Sequence, residues 1–415
     1  MLINKSLATR DASRIDTSSA VAIFLTFAFA YLLSALLRAV TATLAPVFSA
    51  ELGMGAAQLG LLAGAYFLGF SLMQLPLGMA LDRFGARRVL MTLLTVAVVG
   101  CASFALAESM HALVLARALI GMGVSACLMA PLTCFRHLYT ASAQLRANSW
   151  MLMTGSLGMM ASTVPVQWLL PELGWRGLFW LLSALIALAI ALIAWRAPRG
   201  TAAVTRDAEA QLRYRDIVRH DLFLRMAPLA FFVYGGMIAV QALWAGPWLT
   251  RVAGWTPRAA AEGLFVINLA MLLTFMAWGV VMPRLSARGW DAIRLMRWGL
   301  PISLVVLVVN VMRGTESGAA TWALWCVCST FVTLSQPAVG LAFPSAQAGK
   351  ALSAFNLVIF LGVFVMQWGI GLVIDALMGA GVAEGVSFQW AFGGFAGACA
   401  ASYLWFLRGA NAPGQ

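Results

Sequence analysis

The sequence predicts an all-α membrane protein whose twelve transmembrane helices form two pseudo-symmetric six-helix halves. Three observations carry that prediction. Of the 415 residues, 62% are apolar and 10% charged, against about 45–50% and about 25% in soluble domains. The apolar residues gather in twelve runs long enough to cross a bilayer, and one long polar insertion, 195–221, stands at the midpoint. The mean hydropathy of +0.88 excludes a soluble enzyme and a disordered chain, because neither accommodates so much apolar surface. Continuous apolar runs also exclude a β-barrel, whose strands alternate.

A bilayer core about 30 Å thick needs about 20 helical residues per crossing. Runs of that kind cover 20–47, 58–81, 89–107, 113–135, 149–170 and 177–194, then 229–249, 263–281, 295–311, 319–343, 352–376 and 390–407. The first follows Lys5, Arg10 and Arg14 in the manner of a signal peptide, but it continues well past the apolar stretch of such a peptide and is read as a span. The expected organisation is an N-terminal half (1–195), a linker (196–222) and a C-terminal half (223–415). Internal similarity favours duplication of a six-helix unit. Ala143-Gln144 with Asn148 echoes Ala346-Gln347 with Asn356, and Gln167-Trp168 echoes Gln367-Trp368, at offsets of 203 and 200.

Lys and Arg total 27 against 15 Asp and Glu, a net charge of +12. In a soluble domain that balance points to nucleic acid, but here it reports topology. With the N-terminus inside, 21 basic residues fall in inside loops and four (Arg176, Arg251, Arg258 and Arg313) in outside loops, while the acids divide almost evenly. Both termini are expected on the cytoplasmic side of the cell's inner (plasma) membrane. The six cysteines lie within apolar runs without metal-ligand spacing and read as small core residues.

The loop after the second span reads Gly78-Met-Ala-Leu-Asp82-Arg83-Phe-Gly85-Ala-Arg87-Arg88. Gly78 permits close helix approach, Asp82 places an anion near a helix end, and Gly85 turns the chain among arginines. A positive-inside loop accounts for the arginines but not for the Gly/Asp spacing. The segment resembles the signature loop of the major facilitator superfamily, and a degenerate copy follows the eighth span at Gly279-Val-Val-Met-Pro283-Arg284. The resemblance implies that Gly78, Asp82, Arg83 and Arg87 belong to a latch holding the cytoplasmic side shut. In the fourth span Arg117 with Gly121 and Gly123 is similar to a second motif of that family, with Ile120 in place of its usual Gln; tight helix packing is the competing reading.

The first span carries Arg38 deep in an apolar run, at a cost of about 2.5–3.5 kcal/mol on insertion scales. Tyr31, Ser34, Arg38 and Thr41 share one helical face. A polar stripe with one fixed cation suits an anion, whereas a snorkelling Arg38 is the bland alternative. Tyr31-Leu-Leu-Ser-Ala-Leu-Leu-Arg38 with Pro46 resembles the first helix of the organophosphate:phosphate antiporter and anion:cation symporter branches. There the matching arginine binds phosphate or carboxylate. The seventh span departs from those branches in lacking an arginine and offers Tyr234, Gln241, Trp244 and Trp248.

No Asp or Glu sits in the middle of a span; Asp375 ends the eleventh and Glu108 lies in an outer loop. Tyr66, Gln74, Asn148, Gln167, Asn268, Gln336, Asn356 and Gln367 are the remaining intramembrane polar residues of note, each weighed between interhelical bonding and ligand contact. The expected activity is secondary transport of a small organic anion, a carboxylate, by symport, exchange or uniport. The expected substrate contacts are Arg38, Tyr31, Ser34, Thr41, Tyr66, Gln241, Trp244 and Asn356, and the gating set is Gly78, Asp82, Arg83, Arg87 and Arg117. Efflux of hydrophobic or cationic drugs is the alternative, and it calls for a buried carboxylate. The sequence offers no phosphate-cradling loop, nucleophile elbow or metal-ligand cluster, so no enzyme, cofactor or metal is expected. The expected partners are the substrate, the bilayer, and a coupling proton or counter-substrate, with no nucleic acid and a monomeric chain.

Overall fold

The computed structural model describes residues 17–198 and 214–408, and among them there is no strand. Ten helices are long and apolar enough to cross a membrane, and the pair Ala56–Leu72 and Gln74–Phe84, bent by 45°, makes an eleventh span. The twelfth emerges from Val164–Arg196, which is two helices broken where Gly174 adopts φ 61°. In chain order the spans are α1 (Thr17–Leu52), α2 (the bent pair), α3 (Ala86–Leu106) and α4 (Met110–Val124 with Met129–Leu138). Next, α5 is Ala141–Ala161 continued to residue 173, α6 is 175–196, and α7 is Asp221–Val252. The remainder are α8 (Pro257–Ala287), α9 (Ala292–Arg313), α10 (Ala319–Leu341), α11 (Ser345–Gly379) and α12 (Glu384–Arg408). Lys5, Arg10, Arg14, Arg199, Arg206 and Arg213, on which part of the topology count rests, lie outside the described residues.

Short-range chemistry fixes the helix ends. Ser109, Thr256 and Asp291 accept the Ala112, Ala259 and Arg294 amides at 3.2, 3.2 and 2.6 Å, capping α4, α8 and α9. Between α2 and α3 the connection is Gly85 alone, at φ 77° and ψ 158°, a conformation that a side chain would strain. Three π-helical stretches, Leu229–Tyr234, Val240–Trp244 and Trp248–Val252, interrupt α7. Wide turns of this kind re-aim side chains within a span.

Side chains of α1–α6 build one core, which includes Phe27, Phe48, Phe104 and Trp175. Those of α7–α12 build a second, in which Trp248 meets Trp322 at 5.1 Å and Phe392 at 5.0 Å. Backbones approach closely where glycine permits: a β-carbon on Gly121 of α4 would collide with the Tyr66 carbonyl of α2. The two sets of helices meet most tightly at the distal end, where α1 gives way to α2. There a β-carbon on Gly60 (α2) would strike the Gln367 carbonyl, and one on Gly371 (α11) the Ala56 carbonyl. Asp375 of α11 accepts the Ala56 and Ala57 amides at 3.0 and 2.8 Å, capping α2 across the molecule. Arg251 of α7 bonds Ser49 of α1 at 2.5 Å and Glu384 of α12 at 3.1 Å.

Candidate functional site

Arg38 stands 14 residues before the end of α1, about 21 Å along the helix axis, at the depth of the hydrocarbon core. Protein surrounds its guanidinium, yet the residue is partly solvent-exposed, which is the signature of a group facing the interior and not the lipid. The Tyr31, Tyr66 and Tyr234 side chains lie within electrostatic reach of it, and the Phe70 ring is 5.9 Å away. Its Nε is buried without a hydrogen-bond partner. Among the described residues no carboxylate pairs with it; the ion pairs formed are Arg251–Glu384, Arg258–Glu262 and Arg313–Glu316.

The N-terminal wall of the site follows from helical spacing. Tyr66 is fully buried and donates to the Ser34 carbonyl at 3.2 Å, while the Ser34 hydroxyl is buried and unpartnered. Phe70, four residues beyond Tyr66, falls on the same face and packs edge-on against Phe360 of α11 at 4.5 Å. From the C-terminal helices, Tyr234 (α7) donates to Gln336 (α10) at 3.5 Å, and Gln336 in turn donates to Asn356 (α11). Asn356 thus reaches the Arg38 region through two intermediaries.

Other expected contacts are engaged elsewhere. The Thr41 hydroxyl accepts Arg117 Nη2 at 2.7 Å, and the same nitrogen donates to the Leu37 carbonyl at 2.7 Å. Arg117 is 0% exposed, with its guanidinium 5.1 Å from the Tyr66 ring centroid, so it fastens α4 to α1 behind the site. Gln241 donates to Asn268 at 2.9 Å. Trp244 is wholly buried, donates to the Gln367 carbonyl at 3.2 Å and packs against Phe388, inside the second core. Sequence reasoning did not select Tyr234, Phe70 or Phe360 as contacts. Their available signals were the four-residue spacing from Tyr66 and from Asn356, and the polar run along the seventh span.

At the proximal end of α2, Asp82 and Arg83 are exposed, and the Arg83 guanidinium lies 5.2 Å from the Phe84 ring. Arg87 donates to the Ala194 carbonyl at 2.5 Å, a cation on the C-terminal carbonyls of α6. No neighbour lies within contact distance of a β-carbon built on Gly78.

The family model described as Major Facilitator Superfamily matches residues 27–367. The chain belongs to the major facilitator superfamily. It is 28% identical over 150 residues to the inner membrane transport protein YajR of Escherichia coli (strain K12), a match spanning 36% of this chain and 32% of that protein. Among solved structures it resembles a bacterial homologue of the human lysosomal transporter Spinster, inward-facing and unoccupied, with TM-score 0.74 and 17% identity, covering 95% of this chain and 97% of that one. The nucleoside transporter NupG (TM-score 0.70, 14% identity, 94% and 99% covered) and a D-xylose-proton symporter (0.68, 18%, 93% and 97%) share the fold. The molecule is therefore a multi-pass membrane transporter of this superfamily.

Proposed function

We propose that this transporter carries a small organic anion, bound through a carboxylate to Arg38, by alternating access between the halves 1–195 and 223–415 joined by the linker 196–222. One observation carries the reading: Arg38 lies deep among α1, α2 and α7, partly reached by solvent and unpaired with any carboxylate among the described residues. A carboxylate would take two parallel hydrogen bonds from the guanidinium and compensate its charge. Tyr31, Tyr66, Ser34 and Tyr234 supply hydroxyls around that position, and Phe70 and Phe360 give it apolar flanks. Both termini are cytoplasmic in this reading, so the tightly packed distal end is the outer gate and the exposed Asp82 belongs to an inner latch that is released here.

The experiment is a thermal-unfolding screen of the purified protein against monocarboxylates, phosphate esters and amines, since a ligand raises stability by mass action. A singly charged carboxylate should raise the midpoint most, because a phosphate dianion would leave one charge uncompensated. Stabilisation by amines or neutral compounds alone would overturn the anion assignment.

A further inference from the structure

A pair of arginines, unrelated to the Arg38 site, stands against the last two turns of α12 at the proximal end. Arg225 of α7 donates through Nε to the Phe406 carbonyl at 2.7 Å and lays its guanidinium 4.7 Å from the Phe406 ring. Arg297 of α9 holds the same helix one turn earlier, its carbonyl accepting the Tyr403 hydroxyl at 2.7 Å. The Phe406 and Tyr403 contacts lie one turn apart on α12, which brings two cationic residues to the same patch. Arg225 Nη2 and Arg297 Nε are buried with no hydrogen-bond partner. The neighbouring acids do not relieve this: Asp221 is exposed, Asp291 caps α9, and among the described residues neither forms an ion pair. Two half-buried guanidinium groups with unused donors on one patch are a favourable seat for an acceptor-rich anion, which would take charge-assisted hydrogen bonds from both.

The depth of the pair narrows the ligand. Trp298, next to Arg297, is 65% exposed, and Trp405, next to Phe406, is 50% exposed while its indole donates to the Leu224 carbonyl at 3.3 Å. Exposed tryptophans of this kind mark the headgroup level of a bilayer. Arg294, exposed with its guanidinium 4.4 Å from the Trp290 ring, and Arg408 extend the positive surface toward water.

We propose that Arg225 and Arg297, set against the last two turns of α12, bind a phosphate group at the proximal membrane interface. Its chemistry is that of an anionic phospholipid headgroup, with free phosphate as the other source. Bound there, the group bridges α7, α9 and α12.

The test titrates the full chain in non-ionic detergent with phosphatidylglycerol, phosphatidylcholine or inorganic phosphate, reading the unfolding midpoint. Phosphatidylglycerol should raise it and phosphatidylcholine should not. In the double variant Arg225→Gln/Arg297→Gln the affinity for phosphatidylglycerol should fall about thirtyfold, and in Arg297→Gln alone about fivefold. Arg288→Gln, which removes an exposed arginine elsewhere on this side, should leave it unchanged. Equal protection by inorganic phosphate supports the site and assigns it to the free ion. A wild-type protein stabilised by neither phosphatidylglycerol nor inorganic phosphate, or stabilised equally by both lipids, overturns the proposal without any variant, as does an undiminished response in Arg297→Gln.

Discussion

A guanidinium at mid-bilayer depth without a counter-ion is a standing cost to the fold, about 2.5–3.5 kcal/mol on insertion scales. Its retention in α1 is what a binding role requires. On the proposed reading Arg38→Met should therefore raise the unfolding midpoint of the ligand-free protein while abolishing the shift produced by carboxylates; a purely structural arginine would lose stability instead. Arg38→Lys keeps the charge but not the two parallel bonds, and should weaken carboxylate binding at least about tenfold. Arg117 also lacks a counter-ion among the described residues and leaves Nε and Nη1 buried without partners, but its Nη2 serves Thr41 and the Leu37 carbonyl and so ties two helices together. Arg117→Gln should cost about 1.5–3 kcal/mol of stability, read by thermal unfolding. Helical periodicity was enough to align Tyr31, Ser34 and Arg38. It could not indicate that Thr41, on the same face, meets an arginine 76 residues away, because angular position names a face and not its neighbour.

Each of the twelve expected spans coincides with an observed helix, but most of the helices run further. α11 occupies 35 residues where the apolar run covers 352–376, because polar residues beyond the hydrocarbon core continue the backbone ladder at no penalty. Proline marks the 45° bend in α2, since Pro76 cannot bond the Leu72 carbonyl at the break, and Pro228 and Pro247 immediately precede two of the π stretches of α7; a reading by apolar runs passes over these signals. The opposed forces on the α2–α11 contact had no sequence signal. Asp375 caps the N-terminus of α2 through two amides, a charge–dipole contact worth about 0.3–2 kcal/mol. Gln367, fully buried on the same helix, leaves both amide atoms unpartnered, at a cost of about 1–3 kcal/mol that opening of this end to water would remove. Asp375→Asn should consequently shift the population toward a distally open state, and Gln367→Leu should shift it the other way. Spin labels at the exposed distal positions Glu108 and Glu316 would report both as opposite changes in interhalf distance; shifts of the same sign would refute the balance.

On the proposed reading, alternating access makes the whole molecule close around its site twice in each cycle, and Arg38 sets the terms of that closure. Loaded with a monocarboxylate, the site occludes a neutral pair. Empty, it must occlude a bare cation, at several kcal/mol of desolvation. Among the described residues no mid-span carboxylate can swing in to replace the substrate, since Asp375 is engaged at the distal end and Asp82 is exposed at the proximal one. The return of the empty carrier should then be the slow step, and exchange should outpace net flux by at least about tenfold, as each 1.4 kcal/mol of difference corresponds to one factor of ten. In proteoliposomes preloaded with unlabelled carboxylate, uptake of the labelled compound should be accelerated by that factor over unloaded vesicles and should persist when a protonophore collapses the proton gradient. Replacing Arg38 by Lys should slow both modes together, because the substrate's anchor is lost in each. Uptake that depended strictly on the proton gradient and disappeared on mutation of one carboxylate would show that an acid residue, and not the returning substrate, neutralises the site during the empty half of the cycle.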